Sequence, residues 1–418
     1  MWKQFDEGFW IANRASKVND LSKNVAEIID AVSKDGDKAL RDLTKKFDKF
    51  DLKQIEVSRD EIDDAYDDVD DKMIEALETA AYNIQRFHEM QLDEDLWLKE
   101  VEPGMVLGVK STPLERIGAY IPGGRASYPS TALMSIIPAR VAGVDEVICC
   151  TPPPVNPITL VAMDIAGADE VYRVGGVQAI AAMTLGTESI EKVQKIVGPG
   201  NAYVTKAKEM LRGNVEIDFP AGPSEIGIIA DSTAEPKFIA ADVLAQAEHD
   251  PMSACVLVST DDKLPENVWK EVEKMKKGSP RIKIIDEALK NSGYIIADSI
   301  EEATEIMNGM APEHLSIVTA NAMDVLLNVR NAGSIFIGPY SPVAAGDYAS
   351  GTNHVLPTAG NAATMSGLNV AHFRKTSTVQ MISKEGLQSI ADVIETISSA
   401  EGLVAHCESV RVRRKEKK

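Results

Sequence analysis

Two short apolar runs, Ile117-Gly-Ala-Tyr-Ile121 and Glu146-Val-Ile-Cys-Cys150, enclose the helix-like segment Thr131–Val141. Each run has the length of a buried strand. The segment between them is long enough to carry the chain back to the start of a parallel neighbour. This strand–helix–strand pattern predicts a parallel sheet with helices on both faces.

The same alternation continues to about residue 337, in two blocks with five predicted strands each. In the first block they are Ile117–Ile121, Glu146–Cys150, Val171–Val174, Lys195–Val197 and Glu216–Phe219; in the second they are Glu225–Ile229, Ala254–Ser259, Tyr294–Ala297, Leu315–Val318 and Ser334–Ile337. We therefore predict an α/β fold with two Rossmann-like units, each an incomplete doubly wound parallel sheet.

Helical segments are predicted on both sides of these blocks. Apolar residues recur at helical spacing between residues 23 and 92, with a break at Asp35-Gly36-Asp37, and again after residue 375. We predict a helical N-terminal region at 1–112, a Rossmann-like NAD-binding domain at 113–222, a second such domain with the metal and substrate site at 223–374, and a helical dimerisation tail at 375–418.

Composition limits the function classes. The 418 residues carry a net charge of −20, so a nucleic-acid partner is not expected. The chain has no apolar run approaching the roughly 20 residues of a membrane span, and it does not begin as a secretory signal does. Its four cysteines form no CxxC pair. We expect a cytoplasmic protein with reduced thiols and no membrane partner.

Glycine-rich turns follow three of the predicted strands: Pro122-Gly123-Gly124, Gly175-Gly176 and Gly198-Pro199-Gly200. The carboxyl edge of an open parallel sheet is where ligands bind, and helix N-termini there offer free N–H groups to phosphate. No complete GxGxxG fingerprint is present, so this motif gives NAD only weak support. Ordinary strand–helix turns remain the alternative.

Potential metal ligands and proton-transfer groups occur in four further places. Gln246 and His249 end a predicted helix and share a face, which suits zinc, although such a pair is more often a capped helix end. Glu313 and His314 adjoin at the start of a strand and form a candidate acid–base pair. Asp347 and His354 lie in a polar, glycine-rich loop, and Glu401 and His406 lie in the tail, where surface positions are the simpler interpretation.

Several longer blocks resemble the signature blocks of the histidinol dehydrogenase family, in its order and spacing. They are Ile121-Pro-Gly-Gly124, Val174-Gly-Gly-Val-Gln178-Ala-Ile180, Val197-Gly-Pro-Gly-Asn201, Pro220-Ala-Gly-Pro-Ser224-Glu225, Gln246-Ala-Glu-His249, Pro312-Glu-His314-Leu315 and the loop from Gly346 to Thr358. The resemblance covers nearly the whole chain.

The resemblance implies a homodimeric oxidoreductase that uses zinc, one ion per subunit, and two NAD to convert L-histidinol into L-histidine. It implies the zinc ligands Gln246, His249, Asp347 and His406, the last from the partner subunit, and the acid–base pair Glu313 and His314. The NAD contacts that it implies are Tyr120, Gln178 and Asn201, and the substrate contacts are Ser224, Gln246, His249, His314, Asp347, Glu401 and His406.

Two other functions compete with this one. A related zinc- and NAD-dependent dehydrogenase would oxidise another small alcohol, such as a sulfonated propanediol, but Glu401 favours a cationic substrate over an anionic one. A metal-binding solute receptor would also have two lobes around a metal. Such a receptor has no use for an adjacent Glu313–His314 pair.

Overall fold

The computed structural model describes residues 2–6, 21–123, 127–220 and 222–414. Its helices are α1 (Ser22–Phe47), α2 (Arg59–Asp67), α3 (Asp71–Glu89), α4 (Pro129–Val141), α5 (Pro157–Ala166), α6 (Gly176–Leu185), α7 (Ala202–Leu211), α8 (Pro236–Ala247), α9 (Leu264–Met275), α10 (Ile282–Ala288), α11 (Ile300–Met310), α12 (Ala322–Leu326), α13 (Val343–Tyr348), α14 (Lys384–Ala400) and α15 (Val404–Arg414).

The strands form three sheets. They are β1 (Lys3–Gln4), β2 (Leu96–Glu102), β3 (Met105–Pro113), β4 (Arg116–Tyr120), β5 (Glu146–Cys150), β6 (Glu170–Tyr172), β7 (Lys195–Val197), β8 (Glu216–Ile217), β9 (Glu225–Ala230), β10 (Ala254–Ser259), β11 (Gly293–Ile296), β12 (His314–Val318), β13 (Ser334–Ile337) and β14 (Arg374–Ile382). Short 3₁₀ turns lie at Leu289–Asn291, Asn361–Ala363 and Val370–Phe373.

Two of the sheets are parallel, as the strand–helix alternation predicts. The first has the order β6-β5-β4-β7-β8, and the second has the order β1-β11-β10-β9-β12-β13. All ten predicted strands occur in them within a few residues of their predicted ends, so the predicted fold class is confirmed. The short edge strand β1 was not predicted.

Burial on both faces explains why the central strands are continuously apolar. Every residue of β9 and of β10 is buried, which is the usual environment of a strand covered by helices on two sides. In the first parallel sheet, Ile148 and Ile196 share a core with Ile180 and Met183 of α6. Leu40 of α1 belongs to the same core, so this N-terminal helix covers one face of the sheet.

The predicted break in the first helical stretch is confirmed at Gly36. This residue adopts φ 49° and ψ −129°, inside the span of α1. A side chain there would enter a left-handed conformation and meet the Glu188 carboxylate. The break is held by Asp37, whose N–H donates to Glu188 Oε2 at 2.7 Å and whose carboxylate accepts from Ser189.

The third sheet corrects the prediction that residues 1–112 and 375–418 are helical. Strands β2, β3 and β14 pair in the antiparallel order β14-β3-β2, with Met105 opposite Ile382. Ser383 joins β14 to α14, and its N–H donates to Gly104 O at 2.8 Å. These strands were missed because the seven residues of β2 are all exposed and give no buried apolar pattern.

Contacts between residues divide the chain into two compact units. One comprises Met1–Gln91 and Glu115–Phe373, and contains both parallel sheets; the other comprises Leu92–Leu114 and Arg374–Lys418. The predicted domain boundaries stay a prediction. None of the helices in the described ranges is both long enough and apolar enough to cross a lipid bilayer.

Candidate active site

A buried histidine and glutamate begin β12. His314 is the first residue of that strand, and Glu313 precedes it. His314 Nδ1 lies 3.0 Å from Gln246 Oε1, and because the amide oxygen can only accept, Nδ1 carries the proton. In that tautomer Nε2 keeps a free lone pair, and among the described residues it makes no hydrogen bond.

The environment of His314 favours the neutral imidazole. Burial, together with charge repulsion from the neighbouring His249 and His354, lowers its pKa to about 3. The ring packs against Phe336, with the ring centroids 5.9 Å apart. A neutral imidazole with one nitrogen fixed and the other unoccupied can take a proton from a bound substrate.

Glu313 is held by the start of β9. Its Oε2 accepts a hydrogen bond of 2.9 Å from the Glu225 N–H, and the Ser224 side chain also bonds to the carboxylate. Burial raises the pKa of Glu313 well above its ordinary value, and the nearby carboxylates of Glu225 and Asp347 raise it further. This carboxylate therefore binds a proton more strongly than a solvated one does.

Helix α8 delivers Gln246 to the site, and His249 follows just beyond the helix end. Arg281 fixes this turn, because its Nε donates to Glu248 O at 2.8 Å and its Nη2 donates to His249 O at 3.4 Å. His249 has an exposed surface, yet enough protein surrounds its ring that lost hydration lowers the pKa of the imidazole. No sequence pattern could have identified Arg281.

Asp347 is a further residue of the site and lies on the side of His314 Nε2. It lies on α13, with Oδ1 3.8 Å from that nitrogen, and burial raises its pKa to about 7. His354 Nδ1 lies 2.9 Å from Asp347 O and so fixes the main chain of this turn. The structure thus brings together Gln246, Glu313, His314, Asp347 and Ser224.

The predicted NAD contacts lie at the carboxyl edge of the first parallel sheet. Tyr120 ends β4, and its hydroxyl accepts a 3.1 Å hydrogen bond from the Gly176 N–H. Asn201 caps α7, accepting from Tyr203 N and Val204 N, and Gln178 lies buried on α6. Gly124, part of the predicted glycine turn after β4, lies outside the described residues.

Comparisons with known proteins decide the family. The family model for histidinol dehydrogenase matches residues 11–414. A histidinol dehydrogenase of Methanosarcina barkeri is 51% identical over 407 residues, covering 96% of this chain and 94% of that protein. That of Archaeoglobus fulgidus is 50% identical over 404 residues, covering 96% and 97% respectively.

The chain belongs to the histidinol dehydrogenase family. A crystal structure of histidinol dehydrogenase from Elizabethkingia anophelis superposes with a TM-score of 0.95 at 43% identity, covering 98% of this chain and 96% of that one. The family, the fold and the oxidoreductase class predicted from the sequence are therefore confirmed.

The site can be tested for zinc, which the family implies. Among the described residues no group of three or more His, Cys, Asp or Glu side chains is arranged as a metal site. The donor types nevertheless fit zinc, since Gln246, His249 and Asp347 offer an amide oxygen, an imidazole and a carboxylate. Burial raises the pKa of the Asp347 carboxylate to about 7, so a cation bound beside it would stabilise its ionised form.

Glu401 and His406 belong to the second compact unit. Glu401 caps the end of α14 and His406 lies on α15, and both are exposed. Their predicted roles as substrate contact and metal ligand stay predictions for this member of the histidinol dehydrogenase family.

Proposed function

We propose that this chain oxidises L-histidinol to L-histidine through L-histidinaldehyde, with two NAD and one zinc ion per subunit, as the last step of histidine biosynthesis. The observation that carries the proposal is the buried Glu313–His314 pair, with His314 held by Gln246 at 3.0 Å. Two different proton-transfer groups side by side suit a reaction with two successive oxidations.

In the first oxidation, His314 takes the proton of the substrate hydroxyl on Nε2. The Nδ1–H bond to Gln246 fixes the ring plane and directs the free Nε2 lone pair to the opposite side. When bound, zinc holds and polarises the substrate, and NAD accepts the hydride from its carbon. Phe336 packs against the ring and keeps water from one side of it.

In the second oxidation, Glu313 takes a proton from the water that adds to the aldehyde. Its high pKa makes the ionised carboxylate a stronger base than a solvated glutamate. The hydrogen bond from Glu225 N to Oε2 fixes the orientation of this carboxylate. The hydrate formed in this way has a hydroxyl and a C–H bond, so it can be oxidised once more to the carboxylate.

The residues proposed to bind zinc are Gln246, His249, Asp347 and His406 of the partner subunit. Ser224 and Glu401 join them in binding substrate, and the Glu401 carboxylate suits the cationic amine of an amino alcohol. Tyr120, Gln178 and Asn201 are the proposed NAD contacts. Their position at the carboxyl edge of a parallel sheet supports this assignment, since nucleotides bind at that edge.

Exposed apolar residues in the second unit support a homodimer. On α14, Val393 and Ile397 are more than half exposed, and Leu403 and Val404 continue this surface toward α15. Apolar groups clustered at a surface are typical of an interface with another chain. A tail that joins a second copy would bring His406 of the partner subunit to the site.

Limiting L-histidinol with excess NAD is expected to yield two NADH per substrate, with histidine as the product. The reason is that both oxidations occur before release. The measurement is NADH absorbance together with chromatography of the products, on zinc-loaded enzyme. One NADH with free aldehyde would contradict the role of Glu313, and no NADH would favour a dehydrogenase of another small alcohol.

Mixed dimers of His406→Ala and Asp347→Ala chains are expected to regain roughly a quarter of the native activity after random exchange. Half of the dimers would be mixed, and in each of these one site would have both native residues. The control mixes Asp347→Ala with His249→Ala, which are proposed to serve the same site from one chain and should give no recovery. Without recovery in the first mixture, despite exchange proven with tagged native chains, the shared site is wrong.

A further inference from the structure

An ion pair is buried beside the first parallel sheet. Lys208 lies on α7 and Asp218 directly follows β8, and their side chains are 5% and 1% exposed. Lys208 Nζ contacts Asp218 Oδ1 directly. Removing two charges from water is costly, and a well-packed apolar pair is often at least as stable. Stability alone therefore does not account for this pair.

Both partners also bind main-chain atoms of the same residue, Gly198. Lys208 Nζ donates to Gly198 O at 3.0 Å, and the Gly198 N–H donates to Asp218 Oδ2 at 2.8 Å. Gly198 has φ +109°, and an added Cβ would lie 2.2 Å from Tyr120 O. The residue is thus fixed between the end of β4 and the ion pair, in a conformation that glycine adopts readily.

Gly198 begins the turn Gly198-Pro199-Gly200-Asn201, which leads from β7 into α7. Asn201 ends this turn as the helix cap, and Tyr120 lies against its start. One proposed NAD contact, Asn201, therefore lies in this turn, and the main chain of a second, Tyr120, lies against the start of the turn. In the usual dinucleotide fold the glycines of a GxGxxG motif set the loop, and this chain lacks that motif.

We propose that Lys208 and Asp218 are positioning residues for the dinucleotide, which hold the Gly198–Asn201 turn in the form that binds NAD. The inference rests on the proposed function, because it assumes that Tyr120 and Asn201 contact NAD. Neither charged group needs to touch the cofactor. The ion pair fixes the main chain of Gly198, and this main chain leads to Asn201 and lies against the main chain of Tyr120.

Lys208→Met removes the ammonium group and keeps the apolar stem. The dissociation constant for NAD, measured by calorimetry on zinc-loaded enzyme, is expected to rise about tenfold or more, because small displacements of binding groups are costly. KM for NAD should rise in parallel, while kcat at saturating NAD and KM for L-histidinol stay at native values. A merely structural defect would lower the active fraction, and with it kcat, without this selective change.

Lys206→Met is the matched control on the same helix. Lys206 pairs with Glu209 at the surface, with side chains 33% and 41% exposed, and contributes nothing to the Gly198 turn. This variant should bind NAD as the native chain does. An equal loss of NAD affinity in both variants would overturn the inference.

A double variant, Lys208→Met with Asp218→Asn, covers the case in which Lys208→Met does not fold. It removes both charges of the buried ion pair, and Gly198 O still loses its donor. Weak NAD binding in a folded double variant would support the positioning role, and native affinity would overturn it. If the native chain itself binds no NAD, the proposed function fails. If the native chain binds NAD and the double variant binds it equally well, only the positioning role of the ion pair fails.

Discussion

Glu313→Gln is expected to slow the oxidation of L-histidinaldehyde by about 10²- to 10⁴-fold and the oxidation of L-histidinol by less than about tenfold. Glutamine has the shape of glutamate, and its amide oxygen can still accept from Glu225 N, where the carboxylate now accepts at 2.9 Å. The fold should therefore be kept. What disappears is the base that takes a proton from water, and only the second oxidation needs that water.

The two half-reactions can be measured separately, by adding either the alcohol or the aldehyde to excess enzyme and following one turnover of NADH. Asp37→Asn is the control, because Asp37 is also a buried carboxylate and its partner Ser189 lies outside the site. It should leave both rates unchanged. Equal losses in the two half-reactions of Glu313→Gln would show that Glu313 does not activate water selectively.

The parallel sheets could be predicted because their pattern is local. A run such as Ala254–Ser259 is buried on both faces, so every residue in it is apolar or small, and helices on either side mark its ends. The antiparallel sheet lacks such a pattern. Strand β2 is exposed throughout, and β3 pairs with β14, which lies more than 260 residues further along the chain. Pairing over that distance leaves no local trace in the sequence.

The candidate site, too, could be predicted only in part, because its residues are far apart in the sequence. Gln246 and His314 are 68 positions apart, and only the fold brings Oε1 within 3.0 Å of Nδ1. Each motif alone had an ordinary explanation, such as a helix end or a turn. The family was identified by several longer blocks of sequence that occur in a fixed order along the chain, which no single pair of residues could do. Arg281 holds the main chain at Glu248 and His249 through their carbonyl oxygens, so its role depends on tertiary structure.

His249→Ala is expected to lose both the bound zinc and nearly all of the activity. Altering even a group that only supports a ligand costs roughly 10- to 100-fold in metal affinity, so losing a ligand should cost at least as much. His249 suits the ligand role because its surroundings lower the pKa of the imidazole, which keeps the ring neutral and its lone pair available. Without His249, the zinc ligands proposed from this chain would be Gln246 and Asp347, and an amide oxygen such as that of Gln246 is a weak ligand by itself.

Zinc content after dialysis and turnover of L-histidinol are the two measurements, and they must be read together. His372→Ala is the control, since His372 packs against Phe219 and is not one of the proposed site residues. Zinc and turnover at native levels in His249→Ala would refute the ligand assignment outright. Retained zinc with lost turnover would instead make His249 a substrate contact. The next candidate ligand would then be His354, a neighbour of His314 whose Nδ1 lies 2.9 Å from Asp347 O.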